Sequence, residues 1–273
     1  MCPQPAVRAA SESRRIAVGM LMILFSGIIF AFMSACTRVV TDLGMPAMQI
    51  VFVSGFVRWV GLGLSVLHVG ASPLGPRAAR TLLVIRSFCG MTAFSCATYA
   101  FGVMPIGDAT TIFLTSPVWA AVLGRIVLKE LLHPVDACLI AIALCGVVLV
   151  SRPEALFASH SSIAGSHGSA VGSRSGVAVV FVGSVFAGSV AVLVRLIKKR
   201  AIVHPAVIAH CYALFTVVAS PTGFLLPAQS PKLATLQEPA RAWLLCIVIG
   251  MLAIPNQLLV NAGLLRTPAA LGS

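Results

Sequence analysis

Acidic residues are scarce in this 273-residue chain. Seven Asp and Glu stand against nineteen Lys and Arg, and charged residues together make up only 10%. A soluble domain carries about 25% charged residues. A chain that is 59% hydrophobic has no polar shell to place around its core, so lipid must be the solvent for most of it. The acids are Glu12, Asp42, Asp108, Glu130, Asp136, Glu154 and Glu238, and no two lie close enough to form an acid–base pair or a metal motif. The six histidines contain no H-x-x-x-H, and neither G-x-S-x-G nor a Walker-type phosphate loop occurs. The sequence therefore argues against an enzyme, a bound metal, a cofactor or ATP-driven pumping. Aromatics are also few, at 7%, and the net charge of +12 is not clustered with them. That excludes a nucleic-acid reader. No C-x-x-C occurs among the eight cysteines; Cys89/Cys96 and Cys138/Cys145, each seven apart, read as small packable residues inside helices.

What the chain does have is long uncharged runs. Residues 16–37 form the first, too long for the roughly 7–15-residue core of a signal peptide. Further spans are predicted at 46–69, 81–103, 108–128, 134–151, 176–194, 205–226 and 242–265, for eight transmembrane helices. Residues 1–15 read as a short basic tail. Residues 153–175 are rich in Ser and Gly without an apolar period, and read as a flexible linker. With the N-terminus inside, twelve basic residues fall on inner segments and five on outer ones, while Arg58 and Arg86 lie within spans. Such a bias predicts a cytoplasmic N-terminus.

The two sides of the linker echo one another. Phe30-Ala31, Arg38 and Pro46-Ala47 have counterparts in Phe186-Ala187, Arg195 and Pro205-Ala206, and Gly90-Met91 matches Gly250-Met251. The first copy has five spans, an odd number, so the second begins on the opposite side and the copies are inverted. Inverted repeats are a recurring plan of secondary transporters, with the substrate site near mid-membrane between them.

The chain is organised around 86–130. Arg86-x-x-x-Gly90, Tyr99-Ala100, Pro105-x-x-Asp108-Ala109, Ser116-Pro117 and Lys129-Glu130 occur there in order. This run resembles the third and fourth helices of EamA-type members of the drug/metabolite transporter superfamily, related to the nucleotide-sugar-transporter solute carriers. Residues 16–152 are similar to one five-helix EamA repeat, ending in Gly146-Val147-Val148-Leu149-Val150 and Pro153. Residues 176–273 resemble the first three helices of a second repeat. The resemblance implies ten helices, of which the last two are lacking here. On that count the expectation is that the chain alone gives no flux, that a two-helix C-terminal extension restores it, and that an open groove lies beside 108–128.

Several residues are candidates for the substrate path. Arg58 sits at the centre of its span, where a charge costs about 2.5–3.5 kcal/mol on insertion scales. It is predicted to face the bundle, either coordinating an anion or satisfied structurally by helix carbonyls. For Arg86 the choice is between snorkelling to the inner surface and, as the resemblance implies, a place at the cavity's inner mouth, paired with an acid. Thr110, Thr111, Thr115 and Ser116 align hydroxyls along the fourth helix, and Pro117 interrupts it and frees a carbonyl. These hydroxyls either line the path or bond back to their own helix. Asn256, Gln257 and Asn261 are the second-repeat candidates, with at most one of the first two facing inward beside Asn261; Asn256 and Asn261 are taken as the pair. Tyr99 is a cavity wall or a packing residue. Asp108 is predicted to cap the fourth helix, and Glu130 to set the turn at its end. Ser184-x-x-x-Gly188 and Gly183-x-x-x-Ala187 read as helix-packing pairs.

The leading expectation is a secondary transporter of a small organic metabolite, working by alternating access. Its partners are the bilayer and that metabolite, with homo- or hetero-oligomers left open. The alternative is a truncated, non-transporting protein that modulates a complete paralogue.

Overall fold

The computed structural model describes residues 5–129, 170–225 and 238–266, with isolated positions at 138, 141, 142, 145, 146 and 149. Its elements are helical: α1 (Pro5–Asp42), α2 (Ala47–Val69), α3 (Arg80–Val103), α4 (Ile106–Phe113), α5 (Ser116–Leu123), α6 (Ala170–Arg200), α7 (Pro205–Ala219) and α8 (Pro239–Arg266). Among the described residues, seven stretches are long and apolar enough to cross a membrane, with Ile106–Leu128 counted as one. Eight were expected. Apart from those isolated positions, the expected fifth span, 134–151, falls outside the described residues, as do Glu130, most of the 153–175 linker and the chain beyond Arg266. Large apolar side chains point outward: Leu24, Phe25, Phe32, Leu64 and Leu67 are each more than half exposed. A soluble surface does not carry such a density of exposed Leu and Phe, but a lipid-facing one does.

Local chemistry sets the helix ends. Pro46, with φ −62°, precedes α2, and Gly70 closes it at φ +66°, its N–H reaching Val66 and Leu67 carbonyls. That left-handed C-cap suits a residue without Cβ. The predicted fourth helix is broken. A turn at Leu114–Thr115 separates α4 from α5, and a π turn, Gly124–Leu128, follows. Pro117 has no N–H to donate to the turn before it, so the α-ladder cannot run through. Pro221 acts similarly after α7, where the helix tightens to 3-10 over Ser220–Leu225.

Two helices outrun their predicted spans. α1 starts at Pro5, inside the segment read as a tail, because Ala6, Ala9 and Ala10 favour helix. α6 starts at Ala170, within the predicted linker, and runs on to Arg200. Lys198, Lys199 and Arg200 form its last turn, where positive charge meets the negative end of the dipole. Apolar length marks where lipid begins and ends, not where the hydrogen-bond ladder does.

Packing pairs the two sides of the sequence. α1 lies along α8, where Met33 and Val40 are buried with Cys246, Ile249 and Ala253. α3 lies along α6, with Ala97, Ala100 and Phe101 against Val180. α2 lies along α7, with Leu62 against Ala209 and Ala213. α2 also meets α8, and α3 meets α7. Counting helices on each side of the linker, first meets third, third meets first, and second meets second. α6 comes closest to its neighbour through Gly188: a Cβ there would lie 2.6 Å from the Trp119 Cβ and 2.8 Å from both the Ala120 nitrogen and the Ser116 oxygen. The backbones of α5 and α6 are therefore in direct contact.

Candidate functional site

Four helices, α2, α3, α7 and α8, meet around two buried arginines. Arg58 stands midway along α2 and is 1% exposed; Arg86 stands in the second turn of α3 and is 2% exposed. Tyr212 of α7 joins them: each guanidinium carbon lies 4.9 Å from the centre of its ring. The two cations are thus no farther apart than twice that distance. Arg58 also lies over Phe94 of α3, at 5.3 Å. Arg86 Nη2 donates to Gln257 Oε1 and to Asn261 Oδ1, both at 3.1 Å, across to α8. Gln257 and Asn261 are one helical turn apart, so they share a face.

These contacts do not neutralise the pair. The amide oxygens are uncharged, and cation–π contacts return about 2 kcal/mol when desolvated. Withdrawing each ion from water costs several kcal/mol after relaxation. Nε and Nη2 of Arg58, and Nε and Nη1 of Arg86, are buried without a hydrogen-bond partner in the protein. Four N–H-bearing nitrogens of two cations therefore share one low-dielectric region. Gly90, one turn beyond Arg86, shapes that region: a Cβ there would stand 3.0 Å from the Tyr212 ring and 3.5 Å from Arg86 Nη1. The missing side chain lets the ring approach α3 and close against Arg86.

Of the sequence candidates, Arg58, Arg86 and Asn261 come together here. Arg86 does not snorkel, and amides hold it where an acid was expected. Asn256 is buried elsewhere, its Nδ2 3.9 Å from the sulfur of Met33 on α1; the member beside Asn261 is Gln257. The hydroxyls of α4 and its break bond back along the helix, from Thr110 to Ile106 and Gly107, from Thr111 to Gly107, and from Thr115 to Ile112. Thr115 also reaches Ser184 of α6 at 3.3 Å. Ser184 adjoins Gly183, which faces Cys96, so Thr115 sits about 15 Å along α3 from Arg86, ten residues at 1.5 Å each. Ser116 and exposed Pro117 accompany it on the α6 side, and half-buried Tyr99 is farther still along α3. Asp108 is not the cap: Pro105 holds that position without a side-chain bond, and Asp108 lies in the first turn, near the positive end of the dipole.

Tyr212 and Phe94 were missed by sequence reasoning, Gln257 was weighed but passed over for Asn256, and Gly90 was read only as part of a motif and of the internal repeat. The spacing of Gln257 and Asn261 was a readable signal. Tyr212 was signalled only as one of two tyrosines in the chain, set within an apolar span.

The fold and the site define a multi-pass helical membrane protein with a cationic centre buried where helices from both sides of the linker meet. Residues 17–152, about half of the chain, match the EamA-like transporter family, and the chain belongs to that family. Among similar proteins, "Solute carrier family 35 member G1" of Homo sapiens is 36% identical over 126 residues, covering 46% of this chain and 34% of that protein. "Probable transport protein YPL264C" of Saccharomyces cerevisiae is 26% identical over 74% of this chain and 58% of its own length. "Pseudopaline exporter CntI" of Pseudomonas aeruginosa is 22% identical over 89% of this chain and 77% of the exporter. The chain thus spans about a third of the human relative and under two thirds of the yeast one. A crystal structure of a protein 16% identical in sequence superposes with a TM-score of 0.65, over 93% of this chain and 80% of the other. That likeness carries the fold.

Proposed function

We propose that the protein is a secondary transporter of a small organic metabolite, in which two inverted halves rock about the arginine centre by alternating access. The observation that carries this reading is the buried Arg58–Arg86 pair, because charges at membrane depth mark substrate or ion paths unless a partner neutralises them. The helix pairing supports it. First-with-third contacts on both sides, and second-with-second between, are what a two-fold exchange of inverted copies produces. The arginines then sit between the copies, on α2 and α3 of one against α7 and α8 of the other. Relatives whose names include a solute carrier, a transport protein and an exporter point the same way.

The test is release from proteoliposomes loaded with a defined mixture of organic acids, amino acids and sugar phosphates, followed by mass spectrometry. Because the chain spans only part of its relatives, both it and a form with two further C-terminal helices are reconstituted. Protein-dependent loss of at least one compound from either form is the expected result. No loss from both forms overturns the reading.

On this reading the charge bias argues for a cytoplasmic N-terminus, with the connection between α2 and α3 on the same side. Ser72 is exposed in that connection. Ser72→Cys is therefore expected to react with a membrane-impermeant maleimide in inside-out vesicles, above the parent chain, and not in right-side-out ones. The opposite pattern reverses the topology.

A further inference from the structure

The geometry points to a ligand class: we infer that the centre binds a small organic dianion, held by Arg58 and Arg86 beside the Tyr212 ring. This deepens the transporter reading and rests on it for calling the ligand a substrate; binding itself is tested without flux.

Charge is the first argument. Both guanidinium groups are permanently charged, and the amides on Arg86 add no negative charge. The acids whose side chains the structure describes stand at helix ends. Asp42 is paired with Arg38 and Glu238 with Arg241, each at 3.1 Å, and Asp108 lies in the first turn of α4. A neutral solute would leave two buried cations uncompensated, and a monoanion would leave one. A dianion brings the region to neutrality.

Donor geometry is the second argument. A guanidinium is a planar fork that matches the paired oxygens of a carboxylate or phosphate. Arg86 is oriented by Gln257 and Asn261 through Nη2 and keeps Nη1 and Nε unpartnered. Arg58 lies against the faces of Phe94 and Tyr212 with Nε and Nη2 unpartnered. Gly90 supplies the third argument. Even a methyl group there would press on the Tyr212 ring beside Arg86 Nη1, so only glycine lets the ring close against Arg86 and hold that guanidinium beside Arg58. Two carboxylates, or one phosphate monoester, share the required chemistry of two negative charges within a few ångströms.

The experiment is a melting-temperature series on the purified chain in detergent at pH 7.5. The probes are succinate and glycerol 3-phosphate. Butyrate carries one charge on a similar carbon chain, and 1,4-butanediol carries none. At least one dianion is expected to raise the melting temperature by about 4 °C near saturation, with little change from butyrate and none from the diol; which dianion acts separates the dicarboxylate from the phosphate source. Arg58→Met is expected to abolish the shift while melting no lower than the parent without ligand, since it removes one of two repelling cations. If that variant fails to fold, Arg58→Lys carries the test with a shift at least halved. Gly90→Ala should also reduce the shift. No shift from either dianion, an equal shift from butyrate, or an undiminished shift in the Arg58 variant that folds overturns the inference. A dianion shift without flux in either reconstituted form upholds the binding site and removes the transporter reading. Release of a neutral metabolite with no dianion shift does the reverse.

Discussion

Arg86→Lys is expected to slow release from the active reconstituted form by about 10- to 100-fold, although it keeps the charge. The fork matters more than the sign. Arg86 Nη2 reaches Gln257 and Asn261 together at 3.1 Å while Nε and Nη1 remain for a ligand. A lysine ammonium is a point charge on a shorter reach and cannot present both sets of donors. Each hydrogen bond to a charged group contributes about 1.5–3 kcal/mol, and about 1.4 kcal/mol is tenfold in rate. The check is the initial release rate of whichever loaded compound the parent passes, at equal protein content. An unchanged rate would show that Arg86 only fastens α3 to α8. Gln257→Leu should fall between parent and Arg86→Lys, since it removes one of two supports.

Gly188→Leu is expected to leave almost no monodisperse protein. The atoms facing Gly188 include the Ala120 nitrogen and the Ser116 oxygen, both 2.8 Å from the place of a Cβ, and backbone cannot rotate aside as a flexible side chain can. Overpacking by a single carbon typically costs about 1–3 kcal/mol, so Gly188→Ala should survive with a lowered melting temperature and leucine should not. Gly27→Ala is the control, because nothing lies within 4 Å of its Cβ position. Size-exclusion profiles of fluorescently tagged variants decide it. A normal profile for Gly188→Leu would mean that α5 is not seated on α6 as described.

Arg58 was legible in the sequence because one charge in the middle of an apolar span has few physical excuses. Its neighbours were not. The ring of Tyr212 matters only because α7 crosses α2 and α3 at that height, a tertiary fact with no local trace. The hydroxyls of Thr110, Thr111 and Thr115 looked like a polar path, yet each finds a carbonyl three or four residues back, the cheapest partner for a hydroxyl inside a helix. The break at Leu114–Thr115 was readable from Pro117, since a missing N–H acts wherever the chain goes. The cap was expected at Asp108, three residues late, because Pro105 already fixes where α4 begins. For Arg86, its distance from the span's start suggested snorkelling and the resemblance suggested the inner mouth; burial against α8 required knowing that the second half of the chain folds back onto α3.

The charge of the arginine pair also sets what the membrane voltage acts on. Moving one elementary charge across 100 mV changes the energy by about 2.3 kcal/mol. On the proposed reading, the ligand-free protein reorients with two uncancelled charges at Arg58 and Arg86, whereas the dianion-loaded protein reorients as a near-neutral body. The return of the unloaded protein then becomes the slow, voltage-dependent step, and the loaded passage the fast, voltage-indifferent one. A carrier with that asymmetry swaps one dianion for another faster than it delivers net current, so its direction follows the relative dianion concentrations on the two sides.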